Sequence, residues 1–387
     1  MKVLKTILFN LVILGTLIAG LEYFASMLFF KDDNFRKNTK LDALKEKAYE
    51  GLVDEFNKYQ LSKYSCPKQK ILTHDTDGSS VRYENPNWSC AGTTIKNNRR
   101  LTTDQPSTFK RKVHVFGGST VYGMGSSDHF TIPSILQKEF NKKNYKTKVI
   151  NHGFSTLVVS QQLQRLLKTP IEKDDIVIFY DGANDVVQRE IYQKPDGTII
   201  GYNQNNKLGF FLSDLRYFLG NHSKIYALLS KIKRNLRGEV TPKNISKCRA
   251  DDFNIIAFKE KWSTYYDSIS NAKNYTESYG GVFYHFLQPT LNFHLLQKSD
   301  YEYLKAIGET SYSSLCFMEL LTDHYQTLDH SYKDRSHKFN GLSLSEIFLK
   351  SPLKNPGYYF IDFVHITPSG NKLIADFIFN EINKSSY

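Results

Sequence analysis

The sequence has no internal repeat, which excludes a solenoid, propeller or other array built by stacking one unit. Acidic residues are few for the basic ones, 39 Asp and Glu against 51 Lys and Arg, leaving a formal net charge of +12. That balance suits an anionic partner such as nucleic acid, phospholipid headgroups or an acidic polysaccharide, and selects none of them. No nucleic-acid motif surrounds the densest basic stretch, Lys231 to Arg237, which reads as a solvated helix face, so nucleic acid is not an expected partner. Metal-ligand spacing is also lacking. His324, Asp323, Asp329, His330 and Asp334 are close in sequence but match no known ligand pattern, and no cofactor is expected. Cysteine is scarce, four residues that allow three pairings. Cys66 and Cys90 flank a loop-like stretch rich in Gly, Ser, Asn and Pro and are the first expected disulfide, with Cys248 to Cys316 the second.

What is present is the composition of a folded protein. Apolar residues make up 40% and charged residues 23% of 387, close to a globular norm and enough for one large domain or two ordinary ones. The first thirty residues stand apart. Lys2 and Lys5 precede an uncharged run from Thr6 to Leu21, and after Glu22 the apolar character resumes to Phe30. A helix from Ile7 to Phe30 would extend about 36 Å, enough to cross a bilayer core of about 30 Å with some tilt. The alternative is a cleaved signal peptide, but Ile18-Ala19-Gly20 is a poor small-x-small site and apolar residues continue past it. The expectation is one N-terminal transmembrane anchor over 1–30, with the rest of the chain extracytoplasmic.

Beyond it, Leu44, Ala48, Leu52 and Phe56 recur every four residues, predicting a juxtamembrane helix within an accessory segment, 31–110. From residue 111 to 387 short apolar strands alternate with amphipathic helices, the pattern of a mostly parallel sheet covered on both faces. Strands are expected at Val113 to Phe116, Val149 to Ile150, Ile176 to Tyr180 and Val282 to Leu287. In the last helix Thr367 is the cap, Pro368 takes the first turn, and Leu373, Ile374, Phe377 and Ile378 form the buried stripe. Two long aromatic-rich stretches, about 188–274 and 291–358, read as insertions.

Four short motifs fall at strand ends or before the last helix. Ser119 follows Gly117 and Gly118 directly after the first strand, where open α/β sheets bind ligands. Val121 stands where a Gly-x-Ser-x-Gly elbow would have its second glycine, which argues against the usual α/β-hydrolase arrangement. Asp362 and His365 share one loop, spaced so that a carboxylate can hold one imidazole nitrogen and leave the other as a general base. Asn184, in Gly182-Ala183-Asn184-Asp185, offers a side-chain N–H, and Gly153 offers an unobstructed backbone N–H. Gln288 follows the fourth strand and is a candidate substrate contact.

This ordered set, Gly-Gly-Ser119, Gly153, Gly182-x-Asn184-Asp185 and Asp362-x-x-His365 before a terminal helix, resembles the SGNH (GDSL-like) hydrolase superfamily. The resemblance covers Lys112 to Ile382, interrupted by the two insertions, with a Gly-Gly-Ser-Thr variant of the first block. It implies a three-layer α/β/α sandwich with Ser119 as nucleophile and His365 as base oriented by Asp362. It also implies an oxyanion hole from the Ser119 N–H, the Gly153 N–H and the Asn184 side chain. The activity expected is hydrolysis of an acyl ester through an acyl-serine, removing acetyl or another small acyl group from an envelope carbohydrate. The alternatives are an O-acyltransferase modifying a cell-surface polysaccharide and a noncatalytic envelope-assembly or carbohydrate-binding protein. The partners implied are an acylated small molecule or carbohydrate, the membrane, and envelope polysaccharide machinery.

Overall fold

The computed structural model describes residues 52–66, 70–74, 81–84, 87–187, 192–193, 199–200, 255–291, 325–349, 359–362 and 364–384, with Gly20 and Tyr49. All but Gly20 belong to one unit, residues 40–201 with 247–387. The expected anchor, the Cys248–Cys316 pair, Leu44, Ala48 and much of both expected insertions lie outside the described residues. Among the described residues, no helix is long and apolar enough to cross a membrane.

The alternation of strands and helices produces a sheet whose five strands all run parallel. These are β6 (Arg111–Gly117), β7 (Thr147–Asn151), β8 (Ile176–Asp181), β11 (Val282–Leu287) and β12 (Gly341–Ser343), in the order β12-β11-β8-β6-β7. β8 is central and buried on both faces, which is why it reads as the unbroken run Ile-Val-Ile-Phe-Tyr-Asp. Phe116, Phe179 and Phe283 pack across three strands in tilted and edge-to-face contacts, with ring centroids 5.3 and 5.4 Å apart. The order reverses between β6 and β8: the chain goes from β6 outward to β7, then returns past β6 to β8. Ligands of open α/β sheets bind beyond the carboxyl ends of the strands at such a switch point.

Helices cover the sheet in pairs. α3 (Ile132–Lys142) packs against α7 (Pro368–Lys384), and α4 (Val159–Leu167) against α6 (Ile255–Ser278). Thr131 caps α3 by accepting from the Ser134 N–H at 3.3 Å, and Thr367 caps α7 by accepting from the Gly370 N–H at 3.3 Å. In α7 the buried stripe is Ile374, Ile378 and Ile382, with Leu373 and Phe377 packed beside it.

Two boundaries differ from the sequence reading. α6 begins within 188–274, and its Trp262, Tyr265, Ile269, Ala272 and Thr276 are buried at helical spacing. That stretch opens with the antiparallel pair β9 (Tyr192–Gln193) and β10 (Ile199–Ile200), and its end is the crossover between β8 and β11 rather than an insertion. The buried stripe begins on aromatic residues, Trp262 and Tyr265, and mixes them with Ile269, Ala272 and Thr276, which obscured it among the many tyrosines. β12, inside 291–358, is a three-residue edge strand too short to show alternation.

The accessory segment contributes α1 (Val53–Ser65), the antiparallel pair β1 (Lys70–His74) and β2 (Val81–Glu84), and a three-stranded antiparallel sheet of β3 (Trp88–Cys90), β4 (Thr93–Lys96) and β5 (Arg99–Arg100). Leu52 and Phe56 pack with Tyr49 and Ile361. Cys66, just past α1, is disulfide-bonded to Cys90 in β3 across 24 positions. Closing a loop of that length restricts the unfolded chain by about 3 kcal/mol. Replacing both cysteines with serine should therefore lower the unfolding free energy by about 2 to 4 kcal/mol in urea titration. An unchanged midpoint would show that the bridge restrains nothing.

Candidate active site

β6 delivers Ser119 through two glycines, and both are required by close approach. A Cβ on Gly117 would lie 2.3 Å from Val121 Cγ2 and 2.5 Å from the Tyr180 carbonyl oxygen. One on Gly118 would lie 2.3 Å from Asn184 Nδ2. Ser119 is then the first residue of a four-residue helix, α2 (Ser119–Tyr122), and is buried. An N–H at the start of a helix has no intrahelical acceptor.

The second loop closes on itself. Phe360 bridges Ile366, the Ile361 N–H donates to the His365 carbonyl at 2.9 Å, and the Thr367 N–H donates to the Tyr359 carbonyl at 2.9 Å. Inside this narrow loop Asp362 Oδ1 accepts from the backbone N–H groups of Val364 and His365 at 2.9 and 2.8 Å. Asp362 Oδ2 lies 2.6 Å from His365 Nδ1, and His365 Nε2 lies 2.7 Å from Ser119 Oγ. An ionised carboxylate only accepts, so the ring proton is on Nδ1, and Nε2 accepts from the serine hydroxyl. Burial opposes charge on Asp362, but the attraction of His365 and the three hydrogen bonds prevail and bring its carboxyl down to about 2.

Asn184 lies at the end of β8, in α5 (Ala183–Val187). Its Nδ2 donates to the Leu157 carbonyl at 2.9 Å, using one of two amide hydrogens while the group rests against Gly118. The adjacent Asp185 accepts from the Val159 N–H at 3.0 Å, tying the start of α4 to the same strand end.

Gly153 lies against the backbone of α2. Its N–H is donated to Asn151 Oδ1 at 2.8 Å, and a Cβ there would lie 2.2 Å from the Tyr122 nitrogen. That N–H is therefore already engaged within the loop. Gly153 is glycine because the loop after β7 presses on the backbone of α2. Asn151, which sequence reasoning passed over, links the two by also donating from Nδ2 to the Val121 carbonyl at 3.0 Å. Its only sequence signal is an Asn ending a strand.

Gln288 is buried just past β11, with its N–H on the Asp181 carbonyl at 2.8 Å and its own carbonyl accepting from the Tyr325 hydroxyl. Its Oε1 lies 3.5 Å from Oγ1 of Thr120, the residue after Ser119. Elsewhere, His114 Nδ1 and His152 Nε2 lie 3.0 Å apart, and His152 stacks on Phe116. Burial, and then the neighbouring His114, push the His152 imidazole well below the ordinary histidine range, so it is a neutral packing group. Asp329 accepts from Ser343 and Ser345 and pairs with Lys333, while Asp323 and His324 lie outside the described residues. Among the described residues, no three His, Cys, Asp or Glu are grouped to hold a metal ion.

No family model matches the chain, and no curated protein does. Among solved structures it is similar to a member of the lipolytic protein G-D-S-L family from Veillonella parvula, at 11% identity over 69% of this chain and 95% of that one, with a TM-score of 0.34. It is similar to a lipase/acylhydrolase from Enterococcus faecalis, at 13% identity over 71% and 97%, with a TM-score of 0.34. A third is an acetyl-xylooligosaccharide esterase from Geobacillus, at 13% identity over 71% and 95%, with a TM-score of 0.38.

Two outcomes are expected from this geometry. Gly118→Ala drives a methyl group into Asn184 Nδ2, so its crystal structure should show the Asn184–Leu157 bond broken. An undisturbed Asn184 would contradict the close-approach account. The carboxyl of Asp362 is depressed, so its contribution to stability is present above its unfolded value near about 4 and is lost as pH falls through about 2. The stability difference between wild type and Asp362→Asn, measured by urea titration, should shrink between pH 4 and pH 2. A constant difference would refute it.

Proposed function

We propose that this chain is a membrane-tethered serine enzyme of the SGNH (GDSL-like) type. It cleaves acyl esters through an acyl-serine intermediate and removes acetyl or another small acyl group from an envelope carbohydrate. The observation that carries the proposal is the unbroken line from Asp362 through His365 to Ser119, with contacts of 2.6 and 2.7 Å. A buried serine whose hydroxyl meets a carboxylate-oriented imidazole is an activated nucleophile.

In this reading Ser119 Oγ attacks the ester carbonyl as its proton passes to His365 Nε2, and the ionised Asp362 stabilises the imidazolium. The Ser119 N–H and the second amide hydrogen of Asn184 receive the oxyanion. Collapse breaks the bond to the alcohol oxygen, which takes the proton from Nε2. Water then attacks the acyl-serine by the same proton route and releases the acid. Gln288, beside Thr120, is assigned to contact the substrate.

The extracytoplasmic side is supported by the Cys66–Cys90 disulfide, since such bonds persist in oxidising compartments. The membrane anchor rests on the apolar run to Phe30.

The test is intact-mass analysis of the full-length chain and its Ser119→Ala variant after fluorophosphonate treatment. One adduct on wild type and none on the variant is expected. A folded wild type without an adduct would remove the proposal.

A further inference from the structure

Both loops of the candidate site are held from one side by the accessory segment. Arg100, the last residue of β5, is buried, and all three of its guanidinium nitrogens donate to the loop that follows the nucleophile. Nη1 donates to the carbonyls of Tyr122 at 3.0 Å and Gly123 at 2.6 Å, Nη2 to that of Ser126 at 2.5 Å, and Nε to Asp128 Oδ1 at 2.8 Å. These carbonyls end α2 and form the turn beyond it, where Gly123 has φ of +91°. From α1, Glu55 accepts from the Ser127 N–H at 3.0 Å.

The same turn touches the loop of Asp362. A Cβ on Gly125 would lie 2.4 Å from Ile361 Cδ1, and Ile361 immediately precedes Asp362. Tyr49 covers this meeting point. Its hydroxyl donates to the Gly125 carbonyl at 2.5 Å, and its ring packs with Phe56 and Ile361.

We propose that Arg100 and Tyr49 are positioning residues for the reaction, which makes the accessory segment part of the catalytic unit. The inference rests on the serine-enzyme reading above. Arg100 fixes the turn beyond Ser119, Tyr49 locks that turn onto Ile361, and together they set the distance between Ser119 Oγ and His365 Nε2. A misplacement of about 1 Å between reacting groups costs on the order of a hundredfold in rate. A partial loosening costs less, and it lowers turnover without weakening binding, because neither side chain is assigned to substrate.

The experiment compares full-length wild type, Tyr49→Phe and Arg100→Lys. Phe keeps the ring contacts and removes only the hydroxyl, while Lys keeps the charge and loses the fork. The readouts are the fluorophosphonate labelling rate per folded molecule, kcat and KM for 4-nitrophenyl acetate, and the unfolding midpoint. We expect labelling rate and kcat to fall about tenfold in both variants with KM within about twofold. A structural role alone would shift the midpoint and leave the labelling rate of folded molecules unchanged, and that result overturns the inference. If Arg100→Lys does not fold, Tyr49→Phe decides by itself. An unlabelled wild type removes the serine-enzyme reading and the inference together; a labelled wild type with equally fast variants removes the inference alone.

Discussion

The site depends on one contact between residues 246 positions apart, the hydrogen bond between Ser119 Oγ and His365 Nε2. Neither partner can make it by local structure. Each is carried on a short loop, and the sheet brings the loops together. β6 is the strand at which the chain reverses its direction across the sheet, so its carboxyl end opens into the crevice between neighbouring connections. α7 packs against α3, the helix between β6 and β7, and so returns the carboxyl-terminal part of the chain to that crevice with the Asp362 loop just before it. Asn371 in α7 then donates to Ser126 Oγ and to the Phe130 carbonyl, both at 2.9 Å, joining the two regions directly.

The neighbouring strand end is held by a buried polar network. Asp181 Oδ1 accepts from the Tyr265 hydroxyl at 3.0 Å and lies 3.1 Å from His285 Nε2, while Tyr332 contacts His285 Nδ1 at 2.5 Å. Asp181 ends β8, His285 lies in β11 and Tyr265 in α6. Such a cluster contributes little net stability compared with apolar packing, but loss of one member strands a buried polar group, so a single arrangement is specified. The next residue after Asp181 is Gly182, at φ +113°, and Asn184 follows two positions later. The network thus fixes where the Asn184 amide emerges.

The parts of the site legible in the sequence are those encoded locally. Asp362 and His365 sit three residues apart in one loop, Ser119 follows a glycine pair, and each strand ends at a turn signal. Once the sheet is parallel, those ends share one edge of the fold. The glycines were ambiguous, because the same residue serves a free N–H, a tight turn or a close approach. Gly153 belongs to the last class, which only the position of the Val121 and Tyr122 backbone reveals. Arg100 was invisible for a different reason. It meets three carbonyls 22 to 26 positions away, and a backbone carbonyl leaves no signature in sequence.

That invisibility bears on how the short helix that carries Ser119 is kept in place. α2 has four residues, fewer than an isolated helix needs to persist, because nucleation costs more than its few hydrogen bonds return. Its position is therefore imposed from outside. Asn151 holds the Val121 carbonyl, and Arg100 holds those of Tyr122 and Gly123. Carbonyls at a helix end that would otherwise seek water become points of attachment to β7 on one side and β5 on the other. Placing Ser119 on such an element makes its position a property of the tertiary structure, so the segment before residue 111 and the sheet after it act on Ser119 together.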